Sequence, residues 1–272
     1  MSGSAGVLAP KPVEKPWGRD SLPAPFTAPA GRRIGEIWFQ APAALDDLLA
    51  KYLFTSEKLS VQVHPDDARA PAGTRGKEEC WLVLAAEPDA RLAIGFEREL
   101  SVDELRAAAL DGSVEALLTW HPVQPGDFFY LPAGTVHAIG EGLTIAELQQ
   151  NSDTTYRLFD YGRPRELHLD QALEVADRRP YTDARRRRVA AGETATLVDG
   201  PLFRLDHVAG EACGEIAARY RQPFMILPLT GAVALNTGEW IVAGGCGWAE
   251  TFDAMRLDPA GRVLLLTSCA ET

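Results

Sequence analysis

The stretch of residues 59–67, LSVQVHPDD, alternates strictly between apolar and polar positions, which predicts a half-buried β-strand. Gln62 and His64 fall on its polar face, and Pro65 ends it. An amide and an imidazole two residues apart on one face of a strand can bind a single metal ion. Taken alone, the stretch is more simply an ordinary exposed strand, so a metal site requires partners elsewhere in the chain.

Similar patterns predict further elements in the first two thirds of the chain. Residues 1–15 are expected to be a loose tail. Strands are predicted at 34–39, 79–84, 91–96, 128–131 and 144–150. Helices are predicted at 45–52, 101–110, 113–118 and 169–176, the second opening on the capping-box sequence of Ser101 and Glu104. Glu36 is expected to share a strand face with Trp38, as either a rim carboxylate or a site residue.

From Val189 onward the pattern changes to short strands separated by Gly, Pro and Asp turns. We therefore expect a mainly β protein of two β domains with a few short helices. Residues 1–182 would form the domain with the candidate site, and residues 183–272 a structural domain. The run from Arg185 to Arg188 between them is more simply a solvated linker than an anion-binding patch. His207, in the second domain, is expected to be a packing residue.

Composition limits the classes of partner. The chain has 272 residues and a formal net charge of −11, which argues against nucleic acid or an anionic membrane as partner. An anionic small substrate stays open, because it needs only a local cluster of basic residues. The four cysteines, Cys80, Cys213, Cys246 and Cys269, form no Cys-x-x-Cys pair, so we interpret them as reduced. With no signal-peptide or membrane-span pattern, a cytoplasmic location is predicted.

A second motif provides the missing partners for the first strand. Gly126, Pro132, Gly134 and His137 describe a strand, a sharp turn and a returning strand that aims one imidazole inward. This arrangement is similar to the second motif of the cupin superfamily, although Glu141 replaces the usual final Asn. Cupins are small antiparallel barrels that carry a metal inside.

The residues that correspond to the first cupin motif complete a candidate ligand set. That set is Gln62, His64, Glu79 and His137. Two imidazoles, one carboxylate and one amide oxygen suit Zn²⁺, one ion per chain, although ligand type alone also permits Fe²⁺ or Mn²⁺.

Four longer segments resemble the type I phosphomannose isomerases, which are zinc-dependent mannose-6-phosphate isomerases. The matching segments are LSVQVHPDD at 59–67, GKEECW at 76–81, PGDFFYLPAGTVHAIG at 125–140 and ELQQNSDTTYRLFDYG at 147–162. The family commonly has Trp-Gly-Gly where this chain has Trp17-Gly18-Arg19. The resemblance implies two cupin-like, jelly-roll domains with the zinc in the first. It also implies that Lys77, Glu147 and Arg157 line the active site.

Such a reaction moves a proton between carbons 2 and 1 of a sugar phosphate through an enediol. Glu147 is the first candidate for the acid or base and Lys77 the second. The planar fork of Arg157 suits sugar hydroxyls, an enediolate or a phosphate. Without the resemblance, each of the three would more often be an ordinary surface residue.

Two other functions stay open. An iron-dependent cupin dioxygenase would be expected to have a more His-rich ligand set. A non-catalytic sugar-phosphate-binding cupin would be expected to lack a ligand or the acid and base. We expect a small-molecule sugar phosphate as the partner, no nucleic acid or membrane, and a monomer or homodimer.

Overall fold

The computed structural model describes residues 3–212 and 214–269, and the prediction that Cys213 is reduced lies outside them. The α-helices are α1 Val102–Asp111, α2 Val114–Leu117, α3 Leu169–Val175 and α4 Gly214–Arg219. Two short 3-10 helices span Ala43–Leu45 and Phe252–Ala254. The strands are β1 Ala5–Leu8, β2 Lys11–Arg19, β3 Ile34–Gln40, β4 Leu48–Phe54, β5 Val61–Val63, β6 Glu79–Ala86, β7 Arg91–Phe96, β8 Leu118–Pro122, β9 Asp127–Leu131, β10 His137–Ile139, β11 Leu143–Gln150, β12 Tyr156–Phe159, β13 Arg187–Arg188, β14 Ala195–Asp199, β15 Phe203–Ala209, β16 Phe224–Thr230, β17 Ala232–Leu235, β18 Trp240–Val242, β19 Cys246–Ala249, β20 Met255–Leu257 and β21 Arg262–Ser268.

Two facing sheets form a first barrel. One has the strand order β13-β9-β6-β11-β4-β3-β2, and the other β12-β5-β10-β7-β8. Apolar side chains from both sheets, including Trp81, Ile94 and Ile145, meet between them and fill part of the interior. Val61 and Val63 point out of the barrel instead and pack with residues of α1 and α3. The polar face of β5 therefore faces inward.

A second pair of sheets has the orders β1-β19-β16-β21-β15-β14 and β18-β17-β20. Its interior is an apolar cluster that includes Val208, Ile226 and Leu265. The outer face of its larger sheet packs against the outer face of the seven-stranded sheet, and Phe203 and Tyr52 belong to that shared cluster. The prediction of a mainly β protein with two β units is confirmed.

Residues 5–8 form β1 and β2 begins at Lys11, so the prediction of a loose tail was wrong for the described part of residues 1–15. β1 pairs with β19 in the second barrel, and β2 pairs with β3 in the first. An unstructured terminal segment and an edge strand can have similar local sequences, so the strands here could be recognised only from their pairing with distant strands. Similarly, the interpretation of the basic run as a solvated linker was wrong in part. Arg187 and Arg188 pair with β9, and the Arg185 guanidinium lies 3.4 Å from the ring centre of Tyr130.

The predicted helix at 45–52 was also wrong, because the chain there forms β4 after a short 3-10 turn. All seven residues of β4 are buried, since the strand lies between β3 and β11 and its outer face is covered by the second barrel. A strand buried on both faces gives a continuous apolar run that periodicity alone does not separate from a buried helix. By contrast, α1 has the predicted capping box between Ser101 and Glu104.

Candidate metal centre and active site

Three buried side chains meet inside the first barrel. His64 follows β5, Glu79 begins β6, and His137 begins β10. One potential ligand atom from each lies within 4.8 Å of the others. The His137 Nε2 atom is 3.3 Å from Glu79 Oε1, and His64 Nε2 is 3.7 Å from Glu79 Oε2. All three side chains are at most 2% exposed, so the group is formed by the fold and is not a surface coincidence.

Backbone carbonyl groups orient both imidazoles. His64 Nδ1 lies 2.8 Å from the Thr154 carbonyl oxygen, and His137 Nδ1 lies 2.9 Å from that of Thr135. Because a carbonyl oxygen only accepts, each Nδ1 carries the proton and each Nε2 lone pair faces the group. Burial lowers the pKa of His64 well below its ordinary value and that of His137 to about 4. Both rings are therefore neutral near pH 7, as metal ligands must be.

The Glu79 carboxylate has an unused acceptor. Its Oε2 atom accepts a hydrogen bond from Lys77 Nζ at 2.6 Å, whereas its Oε1 atom is buried without a hydrogen-bond partner. Burial raises the pKa of the carboxyl to about 7, although Lys77 acts in the opposite direction. A buried acceptor without a partner beside two imidazole lone pairs is a donor set that fits a divalent cation.

Gln62 is the fourth predicted ligand, and it reaches the same place. It pairs directly with His137 across β5 and β10. Its Nε2 atom lies 3.2 Å from His137 Nε2, and its Oε1 atom accepts a hydrogen bond from the Ser60 hydroxyl at 3.0 Å. Ligation through the amide oxygen therefore requires the amide to turn over.

A line of alternating charges adjoins these residues. Glu147 Oε1 accepts a hydrogen bond from Lys51 Nζ at 3.2 Å and lies 3.9 Å from Lys77 Nζ. Its Oε2 atom accepts the indole N–H of Trp81 at 3.0 Å. Lys77 Nζ in turn lies 3.1 Å from His64 Nε2, so it links Glu147 to the candidate ligands. The three charged side chains are 4 to 5% exposed.

Burial and neighbouring charges shift the pKa values of these side chains in opposite directions. Burial alone would raise the pKa of Glu147, but the Lys77 and Lys51 ammonium groups outweigh it and lower the pKa to about 2. Burial lowers the pKa of Lys51 in spite of the Glu147 carboxylate. For Lys77 the carboxylates outweigh burial, and its pKa is raised. Glu147 is therefore ionised at neutral pH, while Lys51 is the ammonium group that is easier to deprotonate.

Arg157 lies on the other side of the candidate ligands. It pairs with Gln62 across β12 and β5, so both side chains belong to the same face of the sheet. Its backbone N–H donates to His168 Nδ1 at 3.3 Å. Within the described residues its guanidinium has no hydrogen-bond or ion-pair partner, and its Nε atom is buried. Burial lowers its pKa. This half-buried cation is free to meet an anionic or hydroxyl-rich ligand.

Glu36 was expected to be either a rim carboxylate or a site residue, and its surroundings distinguish the two. It is 7% exposed and lies on the inner face of β3. Its carboxylate accepts the indole N–H of Trp38 at 2.5 Å and lies 3.3 Å from Lys15 Nζ. Glu36 is thus part of the polar wall of the barrel, beyond Lys51 and away from the candidate ligands.

Three contributors to this site were not predicted from the sequence. Lys51 was placed on a helix, although a lone lysine inside the apolar run of residues 48–54 was a usable signal. Gln150 joins two segments that carry site residues, because its amide accepts from Glu78 N at 2.9 Å and donates to Asp67 at 3.1 Å. Gln149 donates to the Ser152 carbonyl at 2.6 Å and so fixes the loop whose Thr154 orients His64.

Two jelly-roll-like units define a bicupin, and one of them has a metal-type site of buried His and Glu side chains and a partly buried Gln inside its barrel. No known protein-family profile matches the chain. The mannose-6-phosphate isomerase of Streptococcus mutans serotype c is 38% identical over 214 residues, which cover 75% of this chain and 67% of that relative. The chain belongs to the mannose-6-phosphate isomerase family.

Solved structures agree with this assignment. The mannose 6-phosphate isomerase from Bacillus subtilis superposes with a TM-score of 0.76 at 25% identity, covering 98% of this chain and 100% of that one. A zinc-bound mannose 6-phosphate isomerase has a TM-score of 0.70 at 14% identity, covering 98% of this chain and 100% of that one, and shows the same fold. None of the helices in the described part of the chain is long and apolar enough to cross a membrane.

Proposed function

We propose that this protein is an aldose-ketose isomerase that interconverts mannose 6-phosphate and fructose 6-phosphate. The observation that carries the proposal is the buried line from Lys51 through Glu147 and Lys77 to Glu79, which places proton donors and acceptors beside a metal-type ligand set. Family membership supports the same reaction. A dioxygenase would have no use for this line of charges.

We propose that Gln62, His64, Glu79 and His137 hold one Zn²⁺ per chain. The neutral imidazoles and the unpartnered Glu79 oxygen support this set, and the fold is that of a zinc-bound relative. Bound zinc would supply a fixed positive charge next to the sugar oxygens, where negative charge develops.

In this proposal the side chains next to the metal ligands carry out the proton transfer. The Glu147 carboxylate takes the proton from carbon 2 of mannose 6-phosphate and returns it to carbon 1 of the enediol, and Trp81 holds its second oxygen in place. Lys77 and Lys51 each lie within 3.9 Å of Glu147 and can return a proton to an enediolate oxygen or stabilise its charge. Arg157 faces the substrate from the Gln62 side and donates to its oxygens.

We also propose a division of labour between the two halves of the chain. Residues 1–182 would provide the catalytic unit and residues 183–272 a structural one, except that β1 lies in a sheet of the second barrel and β13 in a sheet of the first. The apolar filling of the second barrel supports this assignment. A cytoplasmic location and a monomeric or homodimeric state complete the proposal, and the free thiols of Cys80, Cys246 and Cys269 are consistent with that location.

The test is a coupled assay for fructose 6-phosphate production from mannose 6-phosphate. We expect turnover by zinc-loaded protein, loss after chelation and recovery on adding zinc. His64→Ala should lose metal and turnover together, whereas His121→Asn, which changes a histidine outside the site, should keep both. Absence of turnover by protein with verified zinc would refute the isomerase proposal. Full activity after verified metal removal would refute the metal's role.

A further inference from the structure

A cavity of about 310 Å³ lies between the two barrels. Its first wall is the outer face of the seven-stranded sheet, which contributes Tyr52, Leu82 and Thr144. Its second wall is the outer face of the six-stranded sheet, which contributes His207 and Arg262. Small-molecule sites commonly lie between domains and have volumes from about 300 Å³ upward, so this cavity has the place and size of a binding site.

One sheet separates this cavity from the candidate active site. Tyr52 directly follows Lys51 in β4, and Leu82 directly follows Trp81 in β6. Successive side chains of a strand point to opposite faces, so Lys51 and Trp81 face the interior of the first barrel while their neighbours face the cavity. A ligand between the barrels would therefore bind at a second site, apart from the metal-type residues.

Rings form much of the apolar lining. Pro25 and Phe26 come from the loop after β2, and Pro228 comes from β16. The Phe26 ring centre lies 4.6 Å from that of Tyr52, and these flat surfaces suit a planar aromatic ligand. The Tyr52 hydroxyl is buried without a hydrogen-bond partner in the described part of the chain, so a ligand acceptor beside it would satisfy this donor.

Arg262 supplies the charge of the cavity. Its only side-chain hydrogen bond is a long one, from Nε to the Thr230 hydroxyl at 3.5 Å, and it forms no ion pair within the described residues. His207 is its diagonal neighbour on the same face, because Ala209 pairs with Arg262 across β15 and β21. The His207 Nδ1–H donates to the Glu193 carbonyl oxygen at 2.6 Å, and burial lowers the pKa of the ring, so His207 is neutral at pH 7.

We infer that the cavity binds a small aromatic carboxylate, with its carboxylate on Arg262 and its ring against Phe26 and the prolines. No Asp or Glu belongs to the lining in the described part of the chain, so an anion meets one cation and no opposing charge. The two oxygens of a carboxylate match the planar fork of a guanidinium group. The apolar lining favours such a ligand over a small inorganic anion, which would leave that surface unfilled.

The experiment measures binding of 2-naphthoate and of its neutral amide, 2-naphthamide, to the metal-loaded protein by calorimetry. We expect one naphthoate per chain and about tenfold weaker binding of the amide, which lacks the charge-assisted hydrogen bonds. Arg262→Gln should weaken naphthoate binding about tenfold and leave amide binding unchanged. Because the cavity is apart from the candidate active site, saturating mannose 6-phosphate should not displace naphthoate, and Arg262→Gln should keep wild-type turnover.

Two further variants complete the experiment. Arg256→Gln is the matched control, because Arg256 is an exposed arginine of the same barrel and should leave both affinities unchanged. Ala191 lines the cavity at an exposed position, so Ala191→Trp should fill its mouth and abolish binding of both compounds. The comparison of acid and amide in wild type tests the charge even if Arg262→Gln is unstable.

Four outcomes would overturn the inference. They are the absence of saturable naphthoate binding, equal binding of acid and amide by wild type, unchanged naphthoate affinity in Arg262→Gln, and inorganic phosphate that binds as tightly as naphthoate. Displacement of naphthoate by mannose 6-phosphate would place it in the candidate active site, with the same consequence. None of these binding results depends on whether the protein isomerises a sugar, so the inference and the proposed function fail separately.

Discussion

Replacing Glu147 by Gln tests the buried line of alternating charges that runs from Lys51 through Glu147 and Lys77 to Glu79. The substitution keeps the size of the side chain and a carbonyl oxygen for the Trp81 N–H, but it removes the negative charge between Lys51 and Lys77. Both ammonium groups stay buried. The change therefore isolates the electrostatic role of the carboxylate from its packing.

The size of the effect follows from the distances. At an effective dielectric constant of about 20, unit charges at the Lys51 separation of 3.2 Å attract by about 5 kcal/mol. At the Lys77 separation of 3.9 Å they attract by about 4 kcal/mol. Desolvation offsets much of this in the intact protein, but the variant leaves the buried Lys51 ammonium without the carboxylate it contacts, while Lys77 keeps Glu79. We expect a loss of about 3–5 kcal/mol in the free energy of unfolding at pH 7.

A double-mutant cycle with Lys51→Met separates stability from catalysis. Lys51→Met alone should destabilise less than Glu147→Gln, because Glu147 keeps Lys77 as a partner. The double variant should recover part of the stability lost in Glu147→Gln, since an apolar side chain replaces an unpaired buried ammonium. It should not recover turnover, which we expect to fall about 10²–10⁴-fold whenever the acid or base is removed.

Urea denaturation of the four proteins and the coupled isomerase assay measure both quantities. The reasoning would be refuted if Glu147→Gln unfolded at the same urea concentration as wild type. It would be refuted equally if adding Lys51→Met to Glu147→Gln lowered stability further. Turnover by Glu147→Gln at the wild-type rate would remove Glu147 from the proton transfer.

Three further predictions use the same assays. His137→Ala should lose metal, measured by elemental analysis, together with turnover, and an active metal-free variant would contradict the ligand set. Gly134→Ala should cost about 1 kcal/mol or more and weaken zinc affinity, because Gly134 has φ +86° and a Cβ there would lie 2.8 Å from the Val175 carbonyl oxygen; wild-type stability and affinity would contradict this. Burial depresses the Lys51 pKa, so in Glu147→Gln the unfolded state binds more protons and stability should rise between pH 7 and 9, by at most about 1.4 kcal/mol per unit. The double variant with Lys51→Met should show no such rise relative to wild type. If the free energy of unfolding depended on pH equally in Glu147→Gln and in the double variant, Lys51 would not be the group responsible.

Features set by neighbouring residues could be predicted from the sequence. The alternation around Gln62 and His64 correctly placed both side chains on one face of a strand, because the β pleat depends only on local backbone geometry. That this face points into the barrel was expected only once partners elsewhere in the chain were considered. The Gly134 turn before His137 and the Ser101 cap of α1 were predictable for the same reason. These features place the ends of the strands that carry the candidate ligands.

Other features depended on contacts between distant parts of the chain. Lys51 and Glu147 are 96 residues apart, and only the pairing of β4 with β11 brings them together. β4 was predicted as a helix because a strand covered on both faces has no alternation to reveal it.

By itself, the sequence determined which residues could bind a metal and which faces of their strands they occupied. The tertiary structure decided which charges neutralise one another and which stay available. It linked Glu147 to Lys51 and Lys77, and among the described residues it left the buried Arg157 Nε atom without a hydrogen-bond partner. The physical reason is that a charge's environment depends on the strands packed beside it, and strand order is not encoded in any local stretch of sequence.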